Sequence, residues 1–385
     1  MAVSSVLYGP CLYNLGNDQV LIWWETNTSE GAHAVDWWVS AMIPVLAPAQ
    51  SLRLPDLDSG LERYVHSVKL SGLQPNVQHY FRIYGLNFLS SPYLFRTLRN
   101  DGQSVRLGVW GSNESYPAVT VPGLGATLSF LDAQGVVGYL GTGSYVGDGR
   151  VHGDWVSHWL GSVGSRLLTK GFSGCRGDTD GYSGMSRGML PFHSPSAATF
   201  AVSIGSARIV ALTSVNGARN GLRTNGSQRQ WFLNEVSGDI WKAAAYRIIL
   251  VHHPVRTVYW TGLCDYGTGG TDTDLLSNLL PLLKVSGADL VLHGHSRSYQ
   301  RGAYPTTVPG GSHVVHHIVS AGGGAPAHTS RCWDWSPPQE PGILYDFAGY
   351  SAMVLDISSA RLQVEAFDLR TQAVVDRVSL APHTL

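Results

Sequence analysis

The chain has 385 residues, with 26 basic and 27 acidic side chains, 14% charged residues and 45 glycines. Near-zero net charge leaves no electrostatic footprint for a polyanion, so no nucleic-acid partner is expected, and the composition excludes a disordered chain. No apolar run reaches the roughly 18 residues of a membrane-spanning helix, and the first ten residues lack the basic region and apolar core of a signal peptide. A cytoplasmic protein without membrane association is therefore expected. Cys11, Cys175, Cys264 and Cys332 are far apart and follow no zinc spacing, so they read as free thiols.

From residue 6 to about 98 the sequence reads as short strands divided by turns. Val20–Thr26 is apolar and aromatic, as a sandwich core strand requires, and Val65–Leu70 alternates. Leu73-Gln74-Pro75-Asn76 signals a turn before the strand His79–Gly85. Phe95-Arg96-Thr97 closes this unit and residues 100–103 read as a linker, which places an all-β domain over 1–99 and a second domain over 104–385.

In the second domain the grammar changes to strand, loop, helix. Strands are expected at Val105–Gly111, Val136–Gly141, Tyr246–Val251 and 289–293, with a hairpin over 199–212 and closing strands at 314–320 and 350–367. Helices are expected over 154–168, from Gln228 with Asn225 or Ser227 as cap, and over 274–285. The result is an α/β sandwich served by loops at strand ends.

The most informative of these loops follows the apolar run Ala288–Leu292, which ends in His293-Gly294-His295. Buried parallel strands read as continuous apolar runs, and ligands sit beyond their carboxyl ends. His293 and His295 therefore mark the mouth of a site, and His252-His253-Pro254 ends the preceding apolar strand in the same way. His253 and His293 also read as strand-end core histidines bonded to backbone. Trp155 and Trp159, at helical spacing, read as core. Trp333 and Trp335, in a Pro-rich loop, fit a lid or plain loop packing equally. The long, Gly- and aromatic-rich segment 257–274 reads as shaping a pocket.

Gly294-His295-Ser296-Arg297 followed by Tyr299-Gln300-Arg301 resembles the last signature of the purple acid phosphatases, within the wider metallophosphoesterases, where the pattern is Gly-His-x-His followed by Tyr-Glu-Arg. Leu70–Pro75 followed by Tyr80-Phe81-Arg82 resembles a fibronectin type III domain, which these phosphatases carry at their N-terminus. The resemblance implies a metallophosphoesterase-type α/β (α+β sandwich) core, preceded by a fibronectin III-like β-sandwich. It also implies two metal ions held by five strand-end motifs. Here Gly111-Ser112-Asn113-Glu114 stands for Gly-Asp-x-Gly, with Ser112 at the Asp ligand. Gly141-Thr142-Gly143-Ser144-Tyr145 stands for Gly-Asp-x-x-Tyr: the bridging Asp is Thr142, and Tyr145 matches the tyrosinate ligand. Gly174-Cys175-Arg176 stands for Gly-Asn-His, with Cys175 at the Asn ligand and Arg176 at the catalytic His. His252 keeps the fourth motif. His295 keeps half of the fifth, and Arg297 replaces its second His.

Only Tyr145, His252 and His295 thus remain of the family's ligands, and every carboxylate and carboxamide is gone. Two hard cations need anionic oxygen between them, so no dinuclear centre and no metal cofactor is expected. A single ion on His252 and His295, completed by Glu114 or Asp178, is the alternative. Arg297 and Arg176 are fixed cations suited to a small anionic molecule. Ser112, Asn113, Glu114, Thr142, Asp178, His253 and Tyr299 are taken as the remaining binding residues, and His252, His295 and Tyr145 as catalytic. Three functions follow: a metal-independent acid–base enzyme of specialised metabolism (elimination, isomerisation, cyclisation or condensation), an inactive binding or scaffold protein, and a one-metal phosphoesterase.

Overall fold

A computed structural model of the chain describes residues 6–27, 32–40, 42–55, 62–85, 88–114, 123–181, 183–191, 199–215, 219–259, 272–308, 311–320, 322–329 and 342–383. Cys264, Cys332, Trp333, Trp335 and most of the expected pocket-shaping segment lie outside the described residues.

The N-terminal unit is all-β: β1 (Val6–Tyr13), β2 (Gln19–Thr26), β3 (Ala34–Val39), β4 (Val45–Pro48), β5 (Gln50–Leu54), β6 (Arg63–Ser71), β7 (Gln78–Gly85), β8 (Phe88–Leu89) and β9 (Tyr93–Arg96). The core follows with β10 (Val105–Trp110), β11 (Gly138–Gly141), β12 (Gly171–Gly174), β13 (Phe200–Ile204), β14 (Ala207–Ala211), β15 (Tyr246–Leu250) and β16 (Leu290–His293). It closes with β17 (Tyr299–Val308), β18 (Gly311–Ser320), β19 (Gly342–Phe347), β20 (Ser351–Ile357), β21 (Leu362–Asp368) and β22 (Val374–Leu380).

The two halves share a sheet. β1 pairs in parallel with β12 at Tyr13 and Phe172, so one ten-stranded sheet runs β22-β21-β20-β10-β11-β12-β1-β2-β6-β5. A seven-stranded sheet, β13-β14-β15-β16-β18-β17-β19, forms the other core layer, and β4-β3-β7-β8 with β9 on β7 completes the N-terminal sandwich. β10, β11 and β12 are mutually parallel, as are β14, β15, β16 and β18. Every residue of β15 and β16 is buried, as the apolar runs require of strands covered on both faces.

The core is densely aromatic. Trp159 and Tyr145 pack tilted at 4.9 Å, and Trp159 and Phe172 meet edge-on at 4.8 Å. Trp155 and Trp159 are both fully buried, as the spacing required. The backbone carrying them opens into a π-helix over Trp155–Leu160 between single α-turns. The helix expected over 274–285 is broken in two, Thr273–Asn278 and Leu280–Ser286. Asp272 caps the first by accepting from the amides of Asp274 and Leu275. Pro281 lies in the first turn of the second, where its missing N–H costs nothing, and Gly287 ends it at φ 66°. Among the described residues no helix is long and apolar enough to cross a membrane.

Candidate metal and acid–base site

Parallel strands from both core sheets release their loops at one end. Ser112 donates its amide to Gly143 O and Glu114 to Ser144 O, which ties the loop after β10 to that after β11. The loop after β16 is tied to that after β15 through Gly294 N–H and His252 O. Two glycines let the sheets meet. A Cβ on Gly294 would lie 2.4 Å from Thr142 O, and one on Gly143, at φ +96°, would lie 2.5 Å from His252 Nδ1. Ser112, Glu114, Ser144, His295 and Arg297 all adopt positive φ. Such strain in non-glycine residues persists only where the surroundings impose it, and it gathers at functional sites.

Where these loops converge stand Asp178, His252, His253 and His295, whose donor atoms all lie within 4.8 Å of one another. Asp178 Oδ2 is 2.9 Å from His253 Nε2 and 3.1 Å from His295 Nδ1. The rings of His253 and His295 are 4.5 Å apart, and His252 stands nearly perpendicular to both, at 5.0 and 5.3 Å. Each of two imidazoles is oriented from behind. His252 Nδ1 lies 2.6 Å from Thr142 O, which fixes the proton on Nδ1 and leaves Nε2 facing Ser144 Oγ at 3.3 Å. His253 Nδ1 lies 2.7 Å from Ser214 Oγ, which also accepts the His253 amide.

The electrostatics follow from burial and these contacts. Burial acts to raise the Asp178 pKa, but hydrogen bonds from His253 and His295 outweigh it, and the carboxyl is held well below the usual range. Burial, reinforced by its histidine neighbours and opposed by Asp178, holds His252 well below the ordinary imidazole value, so it is neutral. One carboxylate among imidazole nitrogens is a donor set that suits a single borderline divalent ion such as zinc. The expectation of no metal ion is therefore not supported: the structure provides donors for one. The two positions where the resemblance puts aspartate ligands carry none: Thr142 donates its hydroxyl to Ser320 O, and Ser112 is uncharged.

Several sequence candidates stand elsewhere. Tyr145 is fully buried; its hydroxyl donates to Cys175 O and accepts from the Gly143 amide, and burial pushes its pKa well up. It packs the core and presents no phenolate. Arg176 is buried, with its guanidinium on Ser186 Oγ and Leu190 O. Tyr299 donates to Asp376, which also receives Arg301. Asn113 bridges Trp110 Nε1 and Tyr145 O. Arg297 is at the site, but its fork closes on Glu114. Cys175, at the Asn ligand position, is a buried thiol whose pKa burial raises. His293 donates to backbone at Val251 O and His253 O, the core role weighed for it.

Two positioning groups were not read from the sequence. Ser214 follows β14, another parallel strand of the seven-stranded sheet, and inspecting every parallel strand end finds it. Asp180 is fully buried and accepts from the amides of Gly177, Ser144 and Tyr145, joining the loop that carries Asp178 to the loop after β11. Its only sequence signal is a second carboxylate in Gly177-Asp178-Thr179-Asp180-Gly181.

No known protein-family profile matches the chain. Purple acid phosphatase 7 of Arabidopsis thaliana is 26% identical over 118 residues, 31% of this chain and 31% of that protein. The match thus spans about a third of that relative's length. Purple acid phosphatase from yellow lupin (Lupinus luteus) seeds superposes with a TM-score of 0.77 at 15% identity, over 98% of this chain and 74% of that one. PhoD superposes with a TM-score of 0.58 at 11% identity, over 97% of this chain and 92% of that one. The fold is therefore a purple acid phosphatase-like metallophosphoesterase core preceded by an all-β unit.

Proposed function

We propose that the chain is a one-metal hydrolase of small anionic esters, phosphate monoesters first among them. The observation that carries this reading is the meeting of Asp178, His252, His253 and His295 within 4.8 Å. When bound, an ion at these donors supplies a Lewis acid and lowers the pKa of a coordinated water. The chain's own residues do the rest. Asp178 offsets one unit of the ion's charge. Thr142 O and Ser214 Oγ hold the imidazoles of His252 and His253 in place. Arg297 keeps a cation at the neighbouring loop, and the pairing with Glu114 fixes its orientation. The test is zinc titration of metal-stripped protein, with turnover of an aryl phosphate followed alongside. One tight equivalent, lost in Asp178→Asn and His295→Ala together with turnover, is expected. Full turnover in the presence of chelator overturns the reading.

A second reading has its own observation. Asp178 Oδ2 lies within hydrogen-bond distance of two imidazoles at once, His253 Nε2 and His295 Nδ1. A carboxylate so placed holds each ring in one orientation and stabilises its protonated form. Without an ion, the same group is an acid–base relay able to move protons in an elimination or isomerisation of an anionic substrate.

A further inference from the structure

A second cluster of donors lies at the opposite end of the same strands. Asp289 immediately precedes β16, His313 stands near the start of β18, and His383 follows β22. Their donor atoms also lie within 4.8 Å of one another. We propose that Asp289, His313 and His383 form a separate divalent-metal site that pins the segment after β22 to the start of the parallel sheet.

The geometry supports this in two ways. Asp289 Oδ1 lies 2.7 Å from His383 Nδ1 and 3.9 Å from His313 Nε2, so one oxygen faces both ring nitrogens. The two imidazoles stack at 3.9 Å, 28° from parallel, which holds both rings beside that carboxylate. His313 Nε2 donates to Ala288 O at 2.9 Å, a hydrogen bond that ligation through this nitrogen exchanges for the metal. Two imidazoles and a carboxylate suit zinc, nickel or copper and do not suit calcium or magnesium, which require more oxygens.

The opposing charge is Arg247. Its guanidinium is spent largely on carbonyls, those of Trp241, Lys242 and His383. Its carboxylate contact is with Asp289 Oδ2, at 3.6 Å, which leaves Oδ1 to the histidines, and its Nη1 also lies 3.4 Å from His383 Nδ1. Arg247 weakens a dication here, so this site binds less tightly than the cluster at the other end.

The test is titration of the metal-stripped full chain with zinc against a chromophoric competitor. Two equivalents of unequal affinity are expected. His313→Asn and His383→Ala each weaken the second equivalent by tenfold or more and leave the first. Asp178→Asn removes only the first, so failure of the proposed catalytic site does not affect this result. A parallel measurement on unmutated protein follows modification of His313 and His383 by diethyl pyrocarbonate, which zinc should slow. Zinc stoichiometry unchanged in the His313→Asn/His383→Ala variant, or modification indifferent to zinc, overturns the proposal.

Discussion

Arg297 and Glu114 form a two-pronged ion pair: Nη2 lies 2.7 Å from Oε2 and Nε lies 3.2 Å from Oε1. Both residues adopt positive φ, 44° each, so the pair joins two strained loops across the strand ends. A resemblance that reads Arg297 as a free anion clamp thus meets an arginine already occupied. Arg297→Ala leaves the largely buried Glu114 carboxylate uncompensated and should cost about 1.5 kcal/mol, the low end for hydrogen bonds to a charged group because Arg297 is partly exposed. Arg297→Lys keeps charge without the fork and should recover only part of it. Urea unfolding measures both, and indistinguishable midpoints for all three proteins would show that the pair contributes nothing. Glu114→Gln removes the negative charge facing the guanidinium and should tighten binding of inorganic phosphate.

Tyr145 supplies a spectroscopic prediction. The family's tyrosinate ligand is deprotonated, whereas burial pushes the Tyr145 pKa well up and its hydroxyl donates to Cys175 O. Protein loaded with ferric iron should therefore show no visible phenolate-to-iron band. Tyr145→Phe should leave zinc affinity within about twofold while lowering stability by about 1 kcal/mol, the usual scale of one lost hydrogen bond. A coloured iron complex that Tyr145→Phe bleaches would restore Tyr145 as a ligand.

The fold was legible because burial writes itself into pattern. β15 and β16 are apolar runs, and β6 alternates between faces. The site was only half legible. His252 and His295 follow from position at strand ends, and the sequence offers Asp178 or Glu114 as the group completing an ion. The geometry of neighbours was not. Nothing in the spacing says that Asp178 reaches both His253 and His295, since 75 residues separate it from the first. Nor does spacing say that Arg176 turns into the core toward Leu190, or that Tyr299 turns toward Asp376. Side-chain direction at a loop depends on partners brought in by the rest of the fold, and a local motif does not contain them.

Stability should fall as pH drops below about 6.5. His66 sits under His33 at 3.7 Å, with its nitrogens on Thr26 and Ser51 hydroxyls. Burial, then the charge of His33, pushes its pKa down from 6.5 to about 3. Burial pushes His293 down to about 4. A depressed histidine lets the unfolded chain take the proton first. Its contribution is therefore complete above pH 6.5 and is lost as pH falls toward the folded value. Asp178, depressed as a carboxylate, loses its contribution only below the unfolded value of about 3.9 and so adds no slope in this window. His66→Gln should flatten the fall in melting temperature between pH 6.5 and 4, and an unchanged slope would exonerate His66.

The last prediction separates the two uses of the Asp178 cluster. If one ion works there, Asp178 is a ligand, and replacing it with Asn removes both a donor and the single negative charge. Zinc affinity should then drop at least tenfold, and turnover should return in part when zinc is raised. Ser214→Ala should also lower zinc affinity, because Ser214 orients His253 through Nδ1 and its backbone amide and lost supporting contacts typically cost ten- to a hundredfold. If the cluster is a proton relay, no metal dependence appears. Asp178→Asn then lowers turnover by about a hundredfold, the scale of a general acid or base deprived of its partner, and added zinc restores nothing. His253→Gln and His295→Gln distinguish the two imidazoles within the relay, since Asp178 touches both at similar distance, 2.9 and 3.1 Å. The relay requires at least one of these variants to fall as far as Asp178→Asn. Turnover that survives chelation and all three substitutions would place the chemistry outside this cluster altogether.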